Sequence, residues 1–171
     1  MERADELRYL ILAAQREGSR LFAEQIRPLG LTPSQAEVLS VLSEAQPLSL
    51  IELGSRLVCE TGSPSRLVEG LVKAGLVERI ASSSDQRKVS LTLTPAGEQL
   101  HAQVAVVEQQ FSKLVSSWGE QADIEAVMRA LWQFVRDLPA GLALARRLGR
   151  EESEEDKKEA RARLSSGAAT F

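Results

Sequence analysis

A mainly α fold with one small two-stranded sheet is predicted by three features of the 171-residue chain. Apolar residues recur at three- and four-residue spacing over most of its length, the signature of amphipathic helices. Thr32-Pro33, Ser63-Pro64 and Thr94-Pro95 each join an N-cap residue to a proline at the first helical position. Between Leu76 and Leu93 the spacing changes to period two, as in strands.

The first helix is expected over Asp5 to Arg27, with Leu7, Leu10, Ile11, Ala14, Leu21, Phe22 and Ile26 on one stripe and Pro28 and Gly30 ending it. A second starts at Thr32-Pro33 and runs toward Glu44 through Val38, Leu39, Val41 and Leu42. A third begins near Leu50. A fourth starts at Ser63-Pro64 and ends at Ala74-Gly75, where glycine supplies the left-handed C-cap. The third and fourth form a helix-turn-helix, with Leu53, Leu57, Leu67, Leu71 and Val72 on their inner faces. Leu76, Glu78 and Ile80, then Val89, Leu91 and Leu93, mark two strands around the polar Ser82–Gln86 turn. A helix-turn-helix followed by such a hairpin is a winged helix.

After Thr94-Pro95 a long helix from about Ala96 to Trp118 carries Leu100, Val104, Val107, Phe111, Leu114 and Val115, and Gly119 breaks it. Another, from about Ala122 to Asp137, carries Ile124, Val127, Met128, Leu131, Phe134 and Val135, and Pro139 kinks or restarts it toward Leu148. These helices and the first are too long for the winged unit to cover. Their economical partner is a second copy of the chain; the alternative is a monomer with a folded-back helical core.

The expected division is therefore an N-terminal dimerisation helix (1–30), a winged helix-turn-helix (31–97), C-terminal dimerisation helices (98–148) and a charged, flexible tail (149–171). In the tail, Lys157, Lys158, Arg161 and Arg163 can be read as DNA contacts, or with their acidic neighbours as a solvated segment.

The stretch from Leu53 to Gly97 resembles the MarR family of bacterial transcriptional regulators. The likeness rests on Leu53, Leu57, Leu67-Val68, Leu71 and Gly75-Leu76-Val77, then the wing pattern Asp85-x-Arg87 and Leu91-Thr92-Leu93-Thr94-x-x-Gly97. In element order it extends from Leu7 to Leu148. Pro64, preceded by Gly62, stands where an apolar helix residue is common in that family. The resemblance implies a homodimer that binds a pseudo-palindromic operator, acts as a repressor and is released by a small aromatic effector.

Composition is consistent with one globular domain: 43% of residues are hydrophobic, 26% charged and 4% aromatic. The net charge of −3 and pI near 5.4 do not advertise a nucleic-acid binder. Locally, however, Arg56, Arg66, Lys73, Arg79, Arg87 and Lys88 outnumber Glu60, Glu69, Glu78 and Asp85. One cysteine and one histidine exclude an intrachain disulfide and a structural zinc site. With neither a leader-like apolar run nor a membrane-length span, the expected location is cytoplasmic. No metal or cofactor is expected.

Ser63, Ser65 and Arg66 open the recognition helix, where side chains meet base edges in the major groove. Arg66 suits bidentate pairing with guanine, or an ion pair with Glu69 or Glu60; Ser63 suits a base, a phosphate or a plain N-cap. Thr61 and Lys73 are expected near the DNA backbone. At the wing tip Arg87 suits a narrow minor groove and Lys88 a phosphate. Asp85 resembles the family's acidic partner that holds the wing arginine.

Cys59, in the turn before the recognition helix, is either a thiol that senses oxidants, as in some members of the family, or a small half-buried apolar filler. Tyr9, Trp118 and Trp132 can line an effector cleft or serve as core packing, and His101 is expected at the surface or an interface. A winged-helix module that docks a protein partner without DNA is the alternative function, supported by the acidic pI. An enzyme is disfavoured, since the chain lacks a phosphate-binding glycine loop and a nucleophile elbow.

Overall fold

The computed structural model describes residues 2–58, 63–81, 89–117 and 123–150, and the backbone of 118–119. Helix α1 spans Arg3–Ile26 and continues as a 3-10 turn, Arg27–Leu29, that closes on Gly30 in the left-handed conformation. Helix α2, Pro33–Ala45, starts as expected. The Thr32 hydroxyl accepts from the Gln35 N–H while the Gln35 side chain accepts from the Thr32 N–H, a reciprocal capping box.

Every residue from Ala36 to Leu42 is buried, which makes α2 the axis of the core. Helices α1, α4 and α5 and the sheet pack around it. Helix α3, Leu50–Gly54, repeats the capping box with Ser49 and Glu52. Helix α4, Pro64–Lys73, ends in a Schellman motif: Leu76 N–H donates to Leu71 O and Gly75 N–H to Val72 O, both at 3.0 Å, with Gly75 at φ 71°.

Strands β1 (Val77–Ala81) and β2 (Val89–Leu93) pair antiparallel in the register Val77↔Leu93. This corrects the expected apolar series on the first strand. Val77 is the buried residue, facing Leu93 beside Leu91, while Ile80 lies opposite Ser90 on the outer face and is 46% exposed. The Schellman turn absorbs Leu76, so the strand begins one residue later and its faces are exchanged. Leu48 adds a third rung, exchanging two backbone hydrogen bonds with Leu91 at 3.2 and 2.7 Å.

Thr94 then ties the sheet to helix α5 (Pro95–Gly119): its hydroxyl donates to Gly75 O at 2.6 Å and accepts from the Gly97 N–H at 3.1 Å. Val104 carries α5 into the core, and Phe111 meets Phe22 of α1 edge to face with ring centres 5.5 Å apart.

Helix α6 is Ile124–Val135, capped by the Asp123 carboxylate, and α7 is Pro139–Arg147. No residue of α6 is buried, and of the α1 stripe only Ile26 is fully so. Leu7 at 60% and Phe134 at 68% exposure typify these faces. Helix α7 differs: Gly141, Ala143 and Ala145 are buried as it folds back over α2 and α3 of its own chain.

Candidate nucleic-acid interface

The helix-turn-helix is held from within by Leu53, Leu57, Val68 and Leu71, all buried against α2 and the sheet. Gly54 of α3 faces Pro64 at the start of α4. Because Val68 and Leu71 fix the inner face, Ser65, Arg66, Glu69 and Lys73 fall on the exposed outer face. Ser63 stands at the N-cap position with extended backbone. Its hydroxyl pairs with the Ser65 hydroxyl at 2.6 Å and caps no helix N–H, which corrects the N-cap expectation for its side chain. Pro64 at the first position already removes one of the donors that a cap would serve.

Lys73 forms an exposed ion pair with Glu69 at 2.8 Å, one helical turn away. Its hydrogen bond and charge hold the Glu69 carboxyl below the ordinary range. Glu69 is thus engaged by Lys73 and not by Arg66. Cys59, Thr61, Asp85, Arg87 and Lys88 lie outside the described residues, as does the Trp118 side chain.

Of the proposed effector-cleft residues, Tyr9 is exposed with its own neighbour Arg8 over the ring at 4.1 Å. Trp132 lines a shallow groove with Met128, Arg129 and Arg136, under the Arg150 guanidinium at 5.0 Å. Tyr9 does not line that groove. A cavity of about 750 Å³ lies elsewhere, between the α3 turn (Gly54, Leu57, Val58) and α7 (Leu138, Leu142, Arg146). A larger, almost wholly apolar groove of about 810 Å³ runs between α1 and α6, lined by Leu7, Ile11, Leu12, Val127, Leu131 and Phe134. His101 is half-buried on α5.

Sequence reading passed over an ionic cluster behind the interface. Glu37, 7% exposed on α2, accepts from the Val58 N–H at 2.7 Å. Arg147 of α7 grips Glu44 through Nε and Nη2 at 3.1 and 2.9 Å and reaches Glu37 at 3.7 Å. Burial works against the Arg147 charge, but Glu44, Glu37 and Glu108 outweigh it and raise its pKa above the ordinary value. Glu108 also accepts from the Ser40 hydroxyl at 2.8 Å. The available signal was Glu37 directly before Val38, Leu39, Val41 and Leu42, a charge where α2 should be dry.

The MarR family model matches residues 31–89, the winged unit from the start of α2 to the second strand. The multiple antibiotic resistance protein MarR of Escherichia coli (strain K12) is 30% identical over 125 residues, 70% of this chain and 86% of that protein. The chain belongs to the MarR family. The organic hydroperoxide resistance transcriptional regulator of Bacillus subtilis (strain 168) is 25% identical over 138 residues, covering 81% of this chain and 92% of that one. A crystal structure of a mutant E. coli MarR in complex with operator DNA superposes with a TM-score of 0.61 at 27% identity, over 79% of this chain and 99% of that one.

MarR-family transcriptional regulators bind DNA, and this chain carries the family's mainly helical winged fold. Its relatives are regulators and not enzymes. Among the described residues no group of side chains could hold a metal ion, and no helix is long and apolar enough to cross a membrane.

Proposed function

We propose that the protein is a homodimeric transcriptional repressor of the cytoplasm that occupies a pseudo-palindromic operator through α4 and the wing. The observation that carries this reading is the outward face of α4. Ser65 and Arg66 stand exposed at its N-terminal end, on a helix locked from behind by Val68 and Leu71. That is the end from which a recognition helix meets base edges. Arg66 would read guanine, Ser63 and Ser65 a base or phosphate, and Thr61 and Lys73 the backbone. Arg87 would enter the minor groove with Asp85 holding it, and Lys88 would meet a phosphate.

The dimer would form through α1, α5 and α6. The α1–α6 groove leaves Leu7, Val127, Leu131 and Phe134 in water in a single chain, a cost that a second copy would relieve. Two-fold symmetry would set the recognition helices roughly 34 Å apart, one turn of DNA. Release would follow when an effector binds the free form better than the DNA-bound form. The cavity between the α3 turn and α7 supports an effector seat there more directly than Tyr9 or Trp132 does, since it touches the helix-turn-helix itself. Oxidation of Cys59 is the lesser route to release.

A mobility shift of the purified protein on DNA flanking its coding region, at two salt concentrations, tests the reading. A shift that weakens with salt and is lost in Arg87→Ala supports it. Absence of any shift on that DNA and on a random-sequence selection library would overturn it and bring forward a protein-docking module.

A further inference from the structure

Arg147 lies on α7, far in sequence from the helix-turn-helix, yet it closes a chain of contacts to the turn that leads into α4. Its Nε and Nη2 hold Glu44 at 3.1 and 2.9 Å, and Nη1 stands 3.7 Å from Glu37 Oε1. That same oxygen accepts from the Val58 N–H at 2.7 Å. One residue earlier the crossing is repeated: Arg146 Nη1 donates to Ser55 O at 3.2 Å and Arg56 Nη1 donates to Arg146 O at 3.4 Å. Helix α7 therefore bonds one end of the Ser55–Val58 turn directly and reaches the other through Glu37. It is joined in turn to α6, because Gly141 packs directly on the Val135 carbonyl.

The charges tie α7 to α2 at this junction. Glu37, Glu44 and Glu108 converge on a single guanidinium that is 22% exposed. With α7 docked, the buried Glu37 carboxylate has both an amide and a cation beside it. Displacing α7 would take one cation away from a carboxylate that is 7% exposed. Glu37 would then be held less firmly, and with it the Val58 amide that donates to it.

We propose that Arg147 is a positioning residue for DNA binding: through Glu37 it holds the Val58 amide, and with it the end of α3 that packs on Pro64 of the recognition helix, according to whether α7 is docked. The inference rests on the reading that α4 meets DNA. It adds a route by which a change in the dimer helices, or an occupant of the cavity under α7, would reach that helix.

The test uses the full-length protein and two readouts, hydrogen exchange at the Val58 amide and affinity for operator DNA, in wild type, Arg147→Gln, Arg147→Lys, Arg147→Met and Glu44→Gln. Arg147→Gln is expected to speed Val58 exchange and weaken operator binding about tenfold, the usual size of a coupling between sites. Arg147→Lys, which keeps the charge, should recover part of both effects, whereas Arg147→Met, which keeps most of the length without the charge, should recover neither. Glu44 is half exposed, so Glu44→Gln removes the bidentate anchor without threatening the fold, and the same paired change in smaller measure is expected. Unchanged Val58 exchange in Arg147→Gln and Glu44→Gln would overturn the proposal, as would faster exchange with wild-type affinity. If the wild type bound no DNA, the reading of α4 would fail, and the exchange measurement would still decide whether Arg147 holds the turn.

Discussion

Gly97 packs directly on the Leu76 carbonyl, so closely that a β-carbon at residue 97 would penetrate the oxygen. The contact joins the first turn of α5 to the C-cap of α4. Thr94 seals it, bonding Gly75 O on one side and the Gly97 N–H on the other. Since the obstacle is backbone, it cannot rotate away. Gly97→Ala is expected to cost about 2 kcal/mol or more through overpacking. Urea denaturation at equilibrium measures this; a midpoint equal to wild type would show that α5 can shift without loss.

Arg66→Ala and Lys88→Ala are expected to weaken operator binding in different ways. Loss of a guanine contact should cost about 1–3 kcal/mol and relax preference at one base pair. Loss of a phosphate contact should weaken all sequences alike and reduce the salt slope by about 1. Titrations over a set of single-base operator variants at several salt concentrations separate the two; identical profiles would sink the assignment of roles.

Leu131 and Phe134 form one wall of the apolar α1–α6 groove. Charge at both, in Leu131→Asp with Phe134→Asp, should convert a dimer to a monomer that keeps its winged unit, because neither residue is buried within the single chain. Sedimentation equilibrium reads the mass, and far-ultraviolet circular dichroism the fold. A variant that remains dimeric would move the interface elsewhere.

Glu52 gives a pH-dependent prediction. Its interaction with the Ser49 side chain, and next with the Ser49 backbone N–H, holds its carboxyl below the ordinary value of 4.5. A carboxyl depressed in the folded state stabilises it above the unfolded value, and this contribution disappears as pH falls through the lowered folded value. Thermal melts in Ser49→Ala should therefore fall less steeply on acidification than those of wild type. The Glu52 side-chain resonance should titrate nearer the ordinary value; parallel curves and an unmoved resonance would contradict this.

The sequence by itself determined the helix starts and stops and the class of fold. Thr32-Pro33 marks the start of α2 through atoms three residues apart, and Gly75 ends α4 because that φ suits a residue without a β-carbon. Such signals are local, so neighbouring residues suffice to read them. The outward position of Ser65 and Arg66 was legible only in part: the sequence marked Leu67, Leu71 and Val72 as the inner face, whereas the fold buries Val68 and Leu71 and leaves Leu67 and Val72 half-buried.

Tertiary structure alone decided three other matters. Strand register turned on the Schellman turn taking up Leu76, which sent Val77 inward and Ile80 outward. The apolar stripes of α1 and α6, identical in pattern to core stripes, proved open to solvent in the single chain, since periodicity marks a face without naming what covers it. The junction of Glu37, Glu44 and Arg147 spans about a hundred residues, and no local rule pairs charges across such a distance. Only the packing of α7 over α2 brings that cation to the carboxylate that holds the Val58 turn.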